Sequence, residues 1–157
     1  DDAGRLLDNV VWMVRIAQRL SVPVSICEQN PKGLGATVQA LRDLVPAQSI
    51  VPKMHFSCVT DGCLDTMAGL QRPQVVICGI EAHICVLQSA LALQSSGKQV
   101  FVAADCVASR DPSNRQVALD RMRQHGVIVV SREMVAFEWL GAAGSDEFRE
   151  ISRTFLR

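Results

Sequence analysis

The sequence has no excess of either charge. Sixteen Lys and Arg are balanced by sixteen Asp and Glu, a formal net charge of zero over 157 residues, so the composition carries no basic footprint for nucleic acid or an anionic membrane. No uninterrupted apolar run approaches the ~20 residues that span a bilayer, and the N-terminus lacks the basic, apolar and small-residue succession of a signal peptide. These absences predict no nucleic-acid partner, no membrane partner and a cytoplasmic location. There is no C-x-x-C pair, and His55, His83 and His125 fall at no zinc-ligand spacing, so neither a metal nor another cofactor is expected. An internal repeat, a low-complexity segment and a linker rich in Gly, Ser or Pro are also missing.

What is present is apolar bulk. Hydrophobic residues make up 48% of a 17.1 kDa chain, enough for one substantial core and too little chain for two ordinary domains, so residues 1–157 are read as a single domain. Six cysteines, at 27, 58, 63, 78, 85 and 106, are read as reduced rather than paired. Cys27, Cys78 and Cys106 lie in or beside apolar strand-like runs, where cysteine serves as a small hydrophobe, and a chain of this size needs no staples.

Strand and helix patterns alternate along the chain. Leu6, Leu7, Val10, Val11, Val14, Ala17 and Leu20 recur at three- and four-residue intervals, which predicts an amphipathic helix over residues 3 to 20. Strands are expected at 22–27, 49–53, 74–79 and 98–105 and in the run after Gly126. Helices are expected at 38–44, 62–71, 83–95, 110–125, 131–140 and 145–156. Strands apolar on both faces, alternating with helices, predict an α/β domain with a parallel sheet covered on both sides. In such sheets the functional crevice lies beyond the carboxyl ends of the strands. That rule directs attention to Glu28 and Gln29, Lys53, residues 81–85 and residues 105–110.

Two of these residues suggest chemistry. Cys85 falls near the first turn of a helix, where unpaired N–H groups and the helix dipole favour an anion. Thiols placed this way are acidified and more nucleophilic, and the same N–H groups can hold an oxyanion. Lys53, at the end of another strand, is a cation able to stabilise both charges. The plain alternatives are a cysteine packed for its size and a solvated loop lysine. His83 is two residues from Cys85, and neighbours two apart on a helix do not face each other, so it is read as a surface or cap residue. His55, two beyond Lys53, can equally fill a pocket wall.

The segments "CEQNPKGLG" (27–35), "VPKMHFSC" (51–58), "CGIEAHICVLQSAL" (78–91) and "ADCVASRD" (104–111), with "FREIS" near the end, occur in the order and spacing of a known family. The chain resembles the isochorismatase-like cysteine hydrolases over essentially its whole length, and within them the isochorismatase domain-containing proteins of undefined substrate. The resemblance implies a three-layer α-β-α fold with a mostly parallel six-stranded sheet of order 3-2-1-4-5-6. It implies Cys85 as nucleophile and Lys53 as the cation that favours the thiolate and supports the oxyanion. A cis peptide between Ile80 and Glu81 would complete a backbone oxyanion hole from Glu81 and Cys85. Phe56 and Gln29 are pocket candidates, the substrate is a small molecule of amide type, and homo-oligomers are expected.

Two departures accompany the likeness. The family's catalytic aspartate ends a first strand that precedes the first helix, whereas this chain opens with "DDAGRLLDN" and Asp1 and Asp2 are not assigned that role. The missing strand belongs in the middle of the sheet, so the domain is read as N-terminally incomplete, with the aspartate upstream of residue 1. The second departure is that "CEQNPKGLG" offers Glu28 but no histidine, which argues against the divalent cation of nicotinamidases. Two other functions stay open: a non-catalytic member serving as a binding or oligomeric scaffold, and a redox-sensing thiol protein.

Overall fold

The computed structural model describes residues 2–67, 69 and 71–155. Asp1 lies outside the described residues, as do positions 68 and 70 of the helix expected over 62–71 and position 156 of the last helix. The chain opens with helix α1 (Asp2–Arg19). Its buried stripe occupies the second half, where Met13, Val14, Ile16 and Ala17 are buried, while Leu6 and Leu7 are only half-buried. Strand β1 (Ile26–Gln29) starts later than the apolar run at 22 suggests. The amides of residues 20 to 22 are used to close α1, with the Val22 amide donating to the Ala17 carbonyl at 2.8 Å, and Pro23 has no amide to offer a ladder.

Three short helical turns follow: α2 (Pro31–Leu34), α3 (Gln39–Arg42) and a 3-10 turn at Ala47–Ser49. Strand β2 (Ile50–Lys53) then pairs with β1 in parallel, from Ile26 opposite Ile50 to Gln29 opposite Lys53. The helix expected over 62–71 is reduced to the single turn α4 (Cys63–Thr66). Gly62, at φ 68°, opens it from the left-handed region, and Met67 closes it in an extended conformation.

Strand β3 (Gln74–Gly79) leads through a π-helical turn, Ala82–Val86, into α5 (Leu87–Ser95). Strand β4 (Gln99–Val107), α6 (Pro112–Gln124), β5 (Ile128–Val130), α7 (Arg132–Leu140) and α8 (Asp146–Phe155) complete the chain. Asp111 caps α6 by accepting from the Ser113 amide at 2.8 Å, and Ser131 caps α7 by accepting from the Met134 amide. Both satisfy amides that the helix itself leaves unpaired. No helix among the described residues is long and apolar enough to cross a membrane.

All strand pairs are parallel. The described residues form five strands in two sheets, of order β1-β2 and β3-β4-β5. The neighbours within each sheet are those expected for strands two to six, but the expected first strand, and with it the continuous 3-2-1-4-5-6 order, has no counterpart among the described residues. Side chains alternate across β4 as the pleat requires. Val100 and Val102 face a core with Ala90, Leu93, Ala118 and Met122 of α5 and α6, while Phe101 and Ala103 face Met13 and Val135 of α1 and α7. The result is an α/β arrangement with helices on both faces.

The aromatic residues of the last two helices divide between the core and the surface. Trp139 and Phe155 do not form an exposed face; they pack inward around Ile16, Ala136 and Ile151, and the Trp12 indole donates to the Phe155 carbonyl at 2.8 Å. Phe137 is exposed, with its ring tilted against Phe148 at 6.2 Å between centroids.

All six cysteines are unbridged, and Cys58, Cys63 and Cys106 are buried. Cys27 of β1 packs against the core that holds Cys58, in the loop after β2. The neighbouring Cys27 thiol, then the Ser89 hydroxyl and the Lys53 ammonium, outweigh burial and lower the Cys58 thiol to about 6. Cys27 is driven upward by the neighbouring Cys58 and by burial. Between pH 6 and 9 the native pair has lost a proton that the unfolded chain still holds, so this contribution to stability is absent below pH 6 and grows toward pH 9. Denaturant unfolding at several pH values should show the stability difference between the unsubstituted protein and Cys58→Ser widening across that window. In the core itself, Met122 is fully buried, and Met122→Ala should cost about 3 kcal/mol through lost transfer energy and an unfilled cavity, read from the same unfolding curves.

Candidate active site

The site begins with register. Gln29 and Lys53 are opposite partners at the carboxyl ends of β1 and β2, on strands about 4.8 Å apart, so their side chains leave the sheet together. Lys53 is 5% exposed, and its ammonium is saturated with acceptors. It donates to Gln29 Oε1, to the His55 carbonyl at 3.1 Å and to the Phe56 carbonyl at 2.8 Å. These three acceptors match its three hydrogens. All three are neutral oxygens, so the hydrogen bonds satisfy the ammonium without cancelling its charge.

Cys85 reaches the same point from the other sheet. Its Sγ lies 3.9 Å from Gln29 Oε1 and donates to it, so one amide oxygen receives both the lysine and the thiol. Cys85 is half-buried. It sits on the π-helical turn Ala82–Val86, in which the Val86 amide bonds back to the Glu81 carbonyl at 3.2 Å. This wider i to i+5 turn replaces the ordinary helix start expected from about residue 83, and such single π-turns recur at functional sites.

The approach to this turn is held from β4. The β3–β4 ladder shifts register between Ile77 and Gly79, where Gly79 adopts φ 123°, a conformation that side chains rarely enter. The Ala108 amide donates to the Gly79 carbonyl at 3.3 Å, and the Ala82 amide donates to the Ala108 carbonyl at 2.8 Å. Between them the Ile80–Glu81 peptide bond is cis. Ile80 is exposed.

The Glu81 side chain is engaged as well as its backbone. Its carboxylate accepts from the Arg110 amide at 2.9 Å and lies 3.5 Å from His83 Nδ1. His83 Nδ1 is 2.9 Å from Ser109 Oγ. Glu81, His83 and Ser109 thus tie the loops after β3 and β4 together. Asp105 does the same for α7, accepting from the Arg132 amide at 2.8 Å.

Gln29 Nε2 donates one of its two hydrogens to the Met54 carbonyl at 2.7 Å. Phe56 contributes its carbonyl to the lysine, while its ring is 50% exposed beside exposed Met54. Glu28 accepts from the Thr37 amide at 2.7 Å, which holds its carboxyl below the ordinary value and closes the loop after β1. Among the described residues no group of three or more His, Cys, Asp or Glu is placed to hold a metal ion. Sequence reasoning missed Asp61, whose carboxylate accepts from the Met54 and His55 amides and contacts His55 Nδ1. Nothing in the spacing of residues 53 to 61 points to it.

The chain matches the isochorismatase domain family over residues 1–134. It is 39% identical to the isochorismatase domain-containing protein 1 of Salmo salar over 86% of its own length, though it spans only 48% of that protein. It is also 39% identical to the Bos taurus isochorismatase domain-containing protein 2, over 95% of its own length and 72% of the relative's. Among solved structures, the MAR1 ribonuclease of Caenorhabditis elegans superposes with a TM-score of 0.86 at 31% identity, covering 98% of this chain and 80% of that one. The YcaC gene product of Escherichia coli, an octameric hydrolase of unknown specificity, superposes at 0.89 with 20% identity, over 98% of this chain and 78% of that one, and bears on the fold alone. The chain belongs to the isochorismatase family, with the α/β fold of the isochorismatase-like hydrolases.

Proposed function

We propose that the protein is a cysteine hydrolase acting on a small, amide-type carbonyl compound, with Cys85 as nucleophile and Lys53 as its charge partner. The observation that carries this reading is the shared Gln29 Oε1, which brings the ammonium and the thiol from different sheets to one point. A buried cation whose hydrogen-bond partners are neutral oxygens favours an anion nearby; Cys58 answers it from the core side, and the Cys85 sulfur meets it at the shared amide oxygen.

In the proposed reaction the Cys85 sulfur attacks the carbonyl carbon, forming a C–S bond and moving the carbonyl electron pair onto oxygen. The backbone amides of Glu81 and Cys85 face that oxyanion. When the carbonyl reforms, the C–N bond breaks and the amine leaves with a proton. Water then attacks the thioester, releasing the acid and restoring the thiol. A general base takes the thiol proton and returns it to the leaving group.

Exposed Met54, Phe56 and Ile80, on the loops after β2 and β3, support an uncharged, partly apolar substrate. The C. elegans relative carries the name of a ribonuclease. For this chain, the exact balance of acidic and basic residues favours a small molecule over a polyanion. We further propose that copies of the chain associate through α7, where Met134 and Phe137 are exposed.

A panel of small amides and ureides incubated with the unsubstituted protein should yield ammonia or amine from at least one member. Cys85→Ala should reduce that rate about a thousandfold or more. Lys53→Met should reduce it about a hundredfold while leaving alkylation of Cys58 in the denatured protein unchanged. Turnover by Cys85→Ala at the unsubstituted rate would remove the sulfur from the mechanism.

A further inference from the structure

Asp61 lies in the loop between β2 and α4, and its side chain is only 20% exposed. Its Oδ2 accepts from the Met54 amide at 2.5 Å and from the His55 amide at 2.8 Å, while Oδ1 contacts His55 Nδ1. Each of these amides belongs to a planar peptide unit whose carbonyl points the opposite way. The unit that contains the Met54 amide carries the Lys53 carbonyl, which accepts from the Asn30 amide at 2.8 Å. The unit that contains the His55 amide carries the Met54 carbonyl, which accepts from Gln29 Nε2 at 2.7 Å. Holding one edge of each plane therefore aims the other.

The second plane matters most. With Nε2 committed to the Met54 carbonyl, the Gln29 amide has its Oε1 on the side of Lys53 and Cys85, where it receives both. The next two carbonyls of the same loop, His55 and Phe56, complete the lysine's acceptors. We infer that Asp61 is a positioning residue: through the 53–54 and 54–55 peptide planes it orients Gln29 and the carbonyl cage that fix Lys53 beside Cys85. This rests on the reading of Lys53 and Cys85 as the reacting pair, but its geometry is independent of whether the sulfur is a nucleophile. The Asp61 carboxyl is held below its ordinary value, chiefly by its contact with His55, so it stays ionised through the neutral range and its bonds to the amides are charge-assisted.

The chain has three lysines, Lys32, Lys53 and Lys98, which makes amine acylation a direct readout of the cage. Acetic anhydride labelling mapped by mass spectrometry should find Lys53 protected in the unsubstituted protein. In Asp61→Ala its acylation relative to Lys32 should rise roughly tenfold, the equivalent of losing one to two hydrogen bonds. Asp61→Asn keeps an acceptor oxygen without the charge and should give a smaller rise. His55→Ala leaves both amide bonds in place and should give none. In the same variants the pH profile of iodoacetamide alkylation at Cys85 should move to higher pH in the order Asn, then Ala, a change that simple loss of stability does not produce. Lys53 acylation at the unsubstituted rate in Asp61→Asn and Asp61→Ala overturns the inference, and so does equal acceleration at Lys98. If Asp61→Ala does not fold, the Asn variant decides alone. An ordinary thiol profile for Cys85 in the unsubstituted protein defeats the nucleophile instead, and the Lys53 readout still decides the role of Asp61.

Discussion

The arrangement of the site depends on the parallel register between β1 and β2. With Gln29 opposite Lys53, an amide and an ammonium leave adjacent strands side by side. A slip of one residue would send one of the two side chains to the other face of the sheet and separate them. The register is set well away from the chemistry, by the apolar pairs Ile26 with Ile50 and Cys27 with Val51. Cys27 and Val51 pack against the core beneath β3 and α5, so core burial and the placement of the lysine are one constraint. The lysine's own desolvation is met by three oxygens, and burial without such acceptors would cost several kcal/mol.

The second sheet brings its share by departing from regularity. The shifted β3–β4 ladder, the positive φ of Gly79 and the π-turn at Ala82–Val86 together carry the chain from strand to helix. Backbone bonds from Ala108 hold both sides of that bend. The Glu81 carboxylate adds a tie to Arg110. The loop after β4 is thereby part of the frame around Cys85, although none of its side chains is a partner of the sulfur.

Much of the fold is visible in the sequence because it follows from periodicity. The apolar runs at β3, β4 and β5 and the three- and four-residue spacing in α1 are properties of the chain itself, and they carry the α/β alternation. What depends on more than local pattern is not visible. The apolar residues from Val22 look like strand, but their amides belong to the end of α1. Residues 62 to 71 look helical, but Gly62 and the extended Met67 restrict them to one turn. At the site, Lys53 and Cys85 stand out by their place at strand and helix ends. Gln29 reads as a pocket residue because its bridging role exists only once the register is known. The extra residue of the π-turn leaves no mark in "EAHICVLQ", and Asp61 acts through peptide planes that no spacing rule describes.

The shared amide oxygen has a consequence for the sulfur's freedom. As a thiol, Cys85 is tethered to the strand ends by its single hydrogen. Once that hydrogen is gone, two electron-rich atoms face each other across the same gap, and the tether becomes a mild repulsion while the lysine stays anchored. Under the proposed mechanism, ionisation thus unlatches the sulfur from its resting place, and the event that would arm it also releases it toward an electrophile.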